Sequence, residues 1–116
     1  MQPDVPALLW QARRAAGLVL EFLTAKTFED YEHDPMLRSA VERQFQVVGE
    51  ALNRLSRVDP ATAEKVPDLP RIVAFRNVLV HGYATIDDSL VWDVATTRVH
   101  ALVQSLERLL AQAPEV

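Results

Sequence analysis

Apolar residues recur along most of the chain at spacings of three and four, the period of a helix rather than the alternation of a strand. Asp4, with Pro6 close behind, opens the first such segment, which the pattern carries to about Thr24 or Lys26. Leu8, Ala12, Ala15, Val19 and Phe22 form one stripe, and Leu9, Ala16, Leu20 and Leu23 form a second beside it. So wide an apolar face predicts contacts on more than one side, a bundle core and also a partner chain. Trp10 and the pair Arg13-Arg14 lie off the main stripe, and the arginines read as a solvated face.

Phe28 to His33 is an acidic connector with room for one helical turn, and His33 among its carboxylates reads as surface. Asp34-Pro35 is an N-cap followed by proline at the first helical position. The second helix then runs to about Arg57, with Leu37, Val41, Phe45, Val48, Leu52 and Leu55 as its seam. Gly49 in mid-helix costs about 1 kcal/mol relative to alanine, so a close approach by another helix is the expected motive. Asp59-Pro60 starts a short helical piece ending near Lys65. Asp68, bracketed by Pro67 and Pro70, is the expected cap of a third helix that extends to His81. Asp87 caps a last helix, read as continuous to about Ala111 through Val91, Ala95, Val99, Leu102, Leu106 and Leu109. His100 reads as structural, and Trp92 as a packing residue beside the third helix. Four main helices with short connections and short extra turns imply an all-α, up-down bundle over residues 1–116 as a single domain.

At 116 residues with 49% hydrophobic side chains, the chain is long enough for one small core that dimerisation would help. The absence of cysteine excludes disulfides and thiolate metal sites. No apolar run reaches a membrane span, and the first residues lack a signal-type pattern, so the expected location is cytoplasmic with no membrane contact. A net charge of −4 argues against a protein that coats nucleic acid without specificity, though not against a local basic cleft. Ten of the twelve cations are arginine, which suits phosphate recognition and equally a biased genome.

Candidate chemistry collects in Arg76-Asn77-Val78-Leu79-Val80-His81-Gly82-Tyr83. On a helix Asn77 and His81 share a face. Arg76 lies near the core-facing direction, where a permanently charged guanidinium needs an acceptor, a wet cleft or an anionic ligand. Arg76 and His81 differ by about 140° and about 7.5 Å of rise, so they do not simply point the same way. Acting on one phosphate requires the arginine to wrap round, the helix to loosen near Gly82, or a second subunit. Gly82 suits a helix end, with Tyr83 just beyond. A buried polar network that only stabilises the helix is the other reading of Arg76 and His81.

Arg76-Asn77-x-x-x-His81-x-Tyr83 resembles the Arg-x4-His-x-Tyr signature of HepT-type toxins, within the HEPN superfamily of all-helical ribonucleases. Val48-Gly49-Glu50-Ala51 and Val91-Trp92-Asp93 are similar to that family too, so the likeness spans nearly the whole chain. One departure is visible: Val66-Pro67-Asp68-Leu69-Pro70 stands where the family's tryptophan shortly before the motif is expected. The resemblance implies a dimeric, metal-independent endoribonuclease toxin without cofactor, with Arg76, Asn77 and His81 catalytic. It also implies a nucleotidyltransferase antitoxin of the MntA kind that adds AMP to Tyr83; a phenol packing after a helix end is the plainer reading of that residue. Glu50 either pairs with Arg54 one turn on or faces the cleft and orients Arg76 or His81. A non-catalytic HEPN-type subunit that binds nucleotide or RNA is the alternative function, and a purely structural helical dimer is a third.

In that reading His81 serves as base or acid near neutral pH. Arg76 grips the transition-state oxygens, and Asn77 binds phosphate or fixes the ring. A single good histidine per chain makes two-fold symmetry the natural source of the second.

Overall fold

The computed structural model describes residues 4–81 and 86–112. These form seven helices: α1 (Asp4–Phe22), α2 (Phe28–Glu32), α3 (Pro35–Val58), α4 (Pro60–Ala63), α5 (Leu69–His81), α6 (Asp88–Thr97) and α7 (Val99–Gln112). No strand occurs among the described residues.

Short side chains set most of the boundaries. Thr27 and Asp30 make a reciprocal capping box at the start of α2. Asp34 accepts from the Leu37 amide at 3.1 Å ahead of Pro35 and starts α3. Asp59 accepts from both the amide and the hydroxyl of Thr62 and begins α4. Asp87 accepts from the amides of Ser89 and Leu90 and begins α6. These bonds favour the ionised form, and the carboxyls of Asp30, Asp59 and Asp87 are all held below the ordinary aspartate range.

Both stripes of α1 are used inside the protomer. α1 packs on α3 along one side and on α7 along the other. Leu8, Leu9, Ala12, Ala15, Ala16 and Val19 are buried, and Leu20, Phe22 and Leu23 lie half-buried against the same core. The face that suggested a partner chain is therefore covered by α7. α5 lies on α3, which makes α3 the shared wall of the bundle and of the motif-bearing helix.

Expectations at the last helix and at Asp68 are corrected. The last helix is not continuous: it breaks at Arg98, giving α6 and α7. Thr96 and Thr97 turn their hydroxyls back onto the carbonyls of Trp92 and Asp93, at 2.9 and 2.6 Å, a competition with the helix ladder that bends helices. Arg98 itself reaches across to Asp68 at 2.8 Å. That contact accounts for the second correction. The Asp68 carboxylate does not cap α5 but takes Arg98, while its carbonyl accepts from the Ile72 amide. Asp68 holds a left-handed backbone with φ 61°, a region aspartate enters more readily than most residues.

Trp92 also sits elsewhere than expected. It stacks against Phe28 and Tyr31 of α2, at ring separations of 6.0 and 5.8 Å, rather than beside the motif helix. Tyr31 is completely buried there, and its hydroxyl has no partner among the described residues. Around it lie Arg38, Glu42 and Asp88. Arg38 donates to the Glu32 carbonyl and approaches Asp88 at 3.8 Å, tying α2, α3 and the first turn of α6 together.

Candidate active site

α5 carries the motif and is apolar nearly all round. Leu69, Ile72, Phe75 and Leu79 face the core, and Phe75 meets the Phe45 ring edge-on at 5.1 Å. Arg76 is rotated from this line toward α3, at the level of Gly49. A Cβ built on Gly49 would lie 2.2 Å from the Arg76 Cβ and 2.5 Å from its Cγ, distances no real side chain tolerates. The mid-helix glycine is thus the contact that lets α3 and α5 approach this closely, and the stem of Arg76 runs over it.

The guanidinium is placed by three features. Nη1 donates to Asn77 Oδ1 at 3.0 Å, and Nη2 lies 3.4 Å from Glu50 Oε1. Nε is buried with no partner among the described residues. The side chain is 23% exposed and its Glu50 partner 48%, so the group is a half-sunk cation with one open edge. Glu50 therefore turns to Arg76, across the helix interface, rather than to Arg54; no Glu50–Arg54 ion pair is present among the described residues.

His81 is the last residue of α5 and is exposed. No hydrogen bond joins it to Arg76 within the described residues of this protomer, in keeping with the rotation between the two positions. Asn77 is exposed as well, and its amide oxygen is committed to Arg76. The structure thus brings Glu50, Arg76 and Asn77 together and leaves His81 as a separate, solvent-facing imidazole further along the same helix. Tyr83 lies outside the described residues.

The outward surface of α5 adds Val78 and Val80, 51% and 40% exposed, between the polar residues. The partner of Gly49 could not be read from sequence. A mid-helix glycine beside a glutamate signals close approach, but nothing local says that an arginine 27 positions later fills the space.

The chain is similar along most of its length to proteins named as ribonucleases. Putative RNase MJ1380 of Methanocaldococcus jannaschii is 30% identical over 106 residues, covering 90% of this chain and 94% of that protein. Putative RNase MJ0127 of the same organism is 26% identical over 92% of this chain and 88% of its own length. Putative RNase TTE0752 of Caldanaerobacter subterraneus subsp. tengcongensis is 26% identical, covering 79% of this chain and 81% of its own. No solved structure matches. The model of the family described as Ribonuclease HepT-like matches residues 12–109, which takes in α3, the Gly49–Glu50 contact and the whole of α5, and the chain belongs to that family.

Proposed function

We propose that the protein is a metal-independent endoribonuclease toxin that acts as a homodimer through Arg76, Asn77 and His81. The observation that carries this reading is the seating of Arg76. Its stem is fixed over Gly49, its head is held by Glu50 and Asn77, and it keeps an open edge toward solvent. Structural ion pairs at a protein surface contribute about 0–1 kcal/mol, too little to account for a helix contact shaped around one arginine. A pre-placed planar cation is what a phosphoryl transition state requires.

In the proposed reaction His81 of one subunit takes the proton of a ribose 2′-hydroxyl. The 2′-oxygen attacks the adjacent phosphorus, and the bond to the 5′-oxygen breaks. The leaving oxygen collects a proton from the second subunit's copy of the imidazole, and the product ends in a 2′,3′-cyclic phosphate. Arg76 neutralises the oxygens of the intermediate, with Asn77 holding the guanidinium plane. The second copy is supported by α5 rather than by α1. A helix apolar nearly all round, packed on one side against α3, leaves Val78 and Val80 to be covered by another chain.

Control is assigned to a nucleotidyltransferase antitoxin of the MntA kind that transfers AMP to Tyr83, two residues past His81. A phosphodiester there would compete for the donors of Arg76 and block RNA sterically.

The test is induction of the wild type and of His81→Ala in cells, with growth and RNA integrity followed and the RNA ends analysed. Wild type should arrest growth and leave cyclic-phosphate ends, and His81→Ala should do neither. Co-expression with the antitoxin should add AMP mass to wild type but not to Tyr83→Phe. Full cleavage by a folded His81→Ala protein overturns the catalytic assignment. Silencing of both proteins without added mass overturns the role of Tyr83.

A further inference from the structure

α5 and α6 are consecutive in the chain, yet a groove of about 190 Å³ separates them. Ile72 and Phe75 of α5 and Leu90 and Val94 of α6 form its apolar lining, with Leu90 44% exposed at the opening. Four charged residues border it: Asp68, Arg71, Asp93 and Arg98. Asp68 and Arg98 are spent on each other at 2.8 Å and close one end. Arg71 and Asp93 are exposed and make no ion pair among the described residues.

We propose that this groove is a nucleotide subsite of the ribonuclease, taking a guanine that flanks the scissile bond. The proposal rests on the RNA-cleaving reading above. The apolar lining, with the Phe75 ring in it, suits a base. A carboxylate with no ion-pair partner among the described residues suits the guanine edge, where N1–H and the N2 amino group offer two parallel donors to Asp93; uracil offers one. Arg71 supplies a planar cation for the neighbouring phosphate. The groove lies on the helix that carries the motif: Phe75 and His81 are six residues apart, about 9 Å along the axis and about 120° round it, so the strand must wrap the helix to reach both. A base seated there therefore fixes the register of the strand relative to the imidazole. The net charge of the border is zero, so the groove selects by pattern and leaves attraction of the backbone to Arg71 and Arg76.

The experiment uses the full chain and 2′-O-methyl hexanucleotides, which lack the attacking hydroxyl and are not cut. A uridine run, alone or carrying one guanosine, adenosine or cytidine, is titrated by fluorescence anisotropy. The methyl resonances of Ile72, Leu90 and Val94 are followed by NMR in parallel. The guanosine oligonucleotide should bind roughly tenfold more tightly than the uridine run and move those three methyls. Asp93→Asn should erase the preference, and Arg71→Ala should weaken all four about equally. If Asp93→Asn keeps the wild-type ratios, or the methyls stay still while RNA binds, the subsite is refuted. Cleavage of ordinary RNA by the same preparation then shows whether the ribonuclease reading survives it. If Leu90→Asp turns a dimer into a monomer in sedimentation equilibrium, the groove is a subunit contact and the proposal also fails. A wild type that neither binds nor cuts RNA overturns both.

Discussion

Gly49 and Arg76 occupy one another's space: the glycine has no Cβ, and the arginine stem runs where that atom would be. Gly49→Ala cannot be absorbed by a flexible tip, because the clash is with Cβ and Cγ near the α5 backbone. The substitution gains helix propensity of about 1 kcal/mol and loses about 1–3 kcal/mol to overpacking, so the stability change is modest. The rate is expected to suffer more, since a misplaced transition-state contact costs about two orders of magnitude. Cleavage kinetics with a parallel melting curve check this; a variant that melts lower but cuts at the wild-type rate shows that the contact is structural only.

Glu50 separates two effects on Arg76. Its carboxylate steadies the guanidinium, yet in the proposed reaction its charge would compete with the phosphate for the same donors. Glu50→Gln keeps an acceptor and removes the competing charge, so RNA should bind more tightly with little change in the rate of cutting. Glu50→Ala removes both and should lower the rate while the fold persists, because the pair is half-exposed. Single-turnover rates over a range of protein concentrations distinguish the two. Identical behaviour of both variants excludes a role for Glu50 at Arg76.

Much of this arrangement was legible in the chain and part was not, for a physical reason. Asp34-Pro35, Asp59-Pro60 and Asp87 announce helix starts by bonds made within three residues, and all three formed as read. The motif helix reaches His81 as expected, and the Gly82 end anticipated beyond it lies outside the described residues. What escaped depends on partners far along the sequence. Asp68 prefers Arg98, thirty residues away, to its own helix. Glu50 admits two readings in the sequence, and the structure takes the second: it meets Arg76, twenty-six residues away, and not Arg54. Trp92 finds two aromatic rings on α2 that a short acidic connector gives no reason to expect. The break at Arg98 had a local signal, Thr96-Thr97, but the apolar register continues through it and hides the interruption.

Glu42 gives a pH dependence with a definite sign. Burial raises its carboxyl above the ordinary range, Asp88 adds to the rise, and Arg38 opposes it. In the folded state it therefore holds its proton to higher pH than in the unfolded chain. Its contribution is fully present below the unfolded value, about 4.3, and is lost as pH rises through the folded value. Its ionisation leaves two carboxylates to one guanidinium beside the buried Tyr31 hydroxyl, whose own ionisation burial pushes far upward. Glu42→Gln should raise the melting temperature at pH 7, leave it little changed near pH 4, and flatten the profile between. The capping aspartates act in the opposite sense, losing stability as pH falls. A melting temperature at pH 7 that falls in Glu42→Gln contradicts the assignment.

The proposed two-subunit cleft makes a prediction that does not depend on knowing the RNA target. If each reacting site draws its base from one subunit and its acid from the other, both copies of His81 must be intact for a single cut. Wild-type subunits are mixed with His81→Ala subunits under conditions that allow exchange, at fixed total protein. Activity should then follow the square of the wild-type fraction; at equal mixing it should be about one quarter of the pure wild type, against about one half for protomers that work alone. The surface involved is testable in the same assay through Val78, which is half-exposed on the outer face of α5. Val78→Asp places a charge where the second copy is expected, without touching Arg76, Asn77 or the core. It should dissociate the dimer in sedimentation and abolish cutting, while the melting of the monomer stays two-state. Mixing Val78→Asp into wild type should do no more than dilute it, because subunits that do not pair cannot poison a site. A linear response to His81→Ala, with Val78→Asp fully active as a monomer, would show that one chain holds the whole of the chemistry.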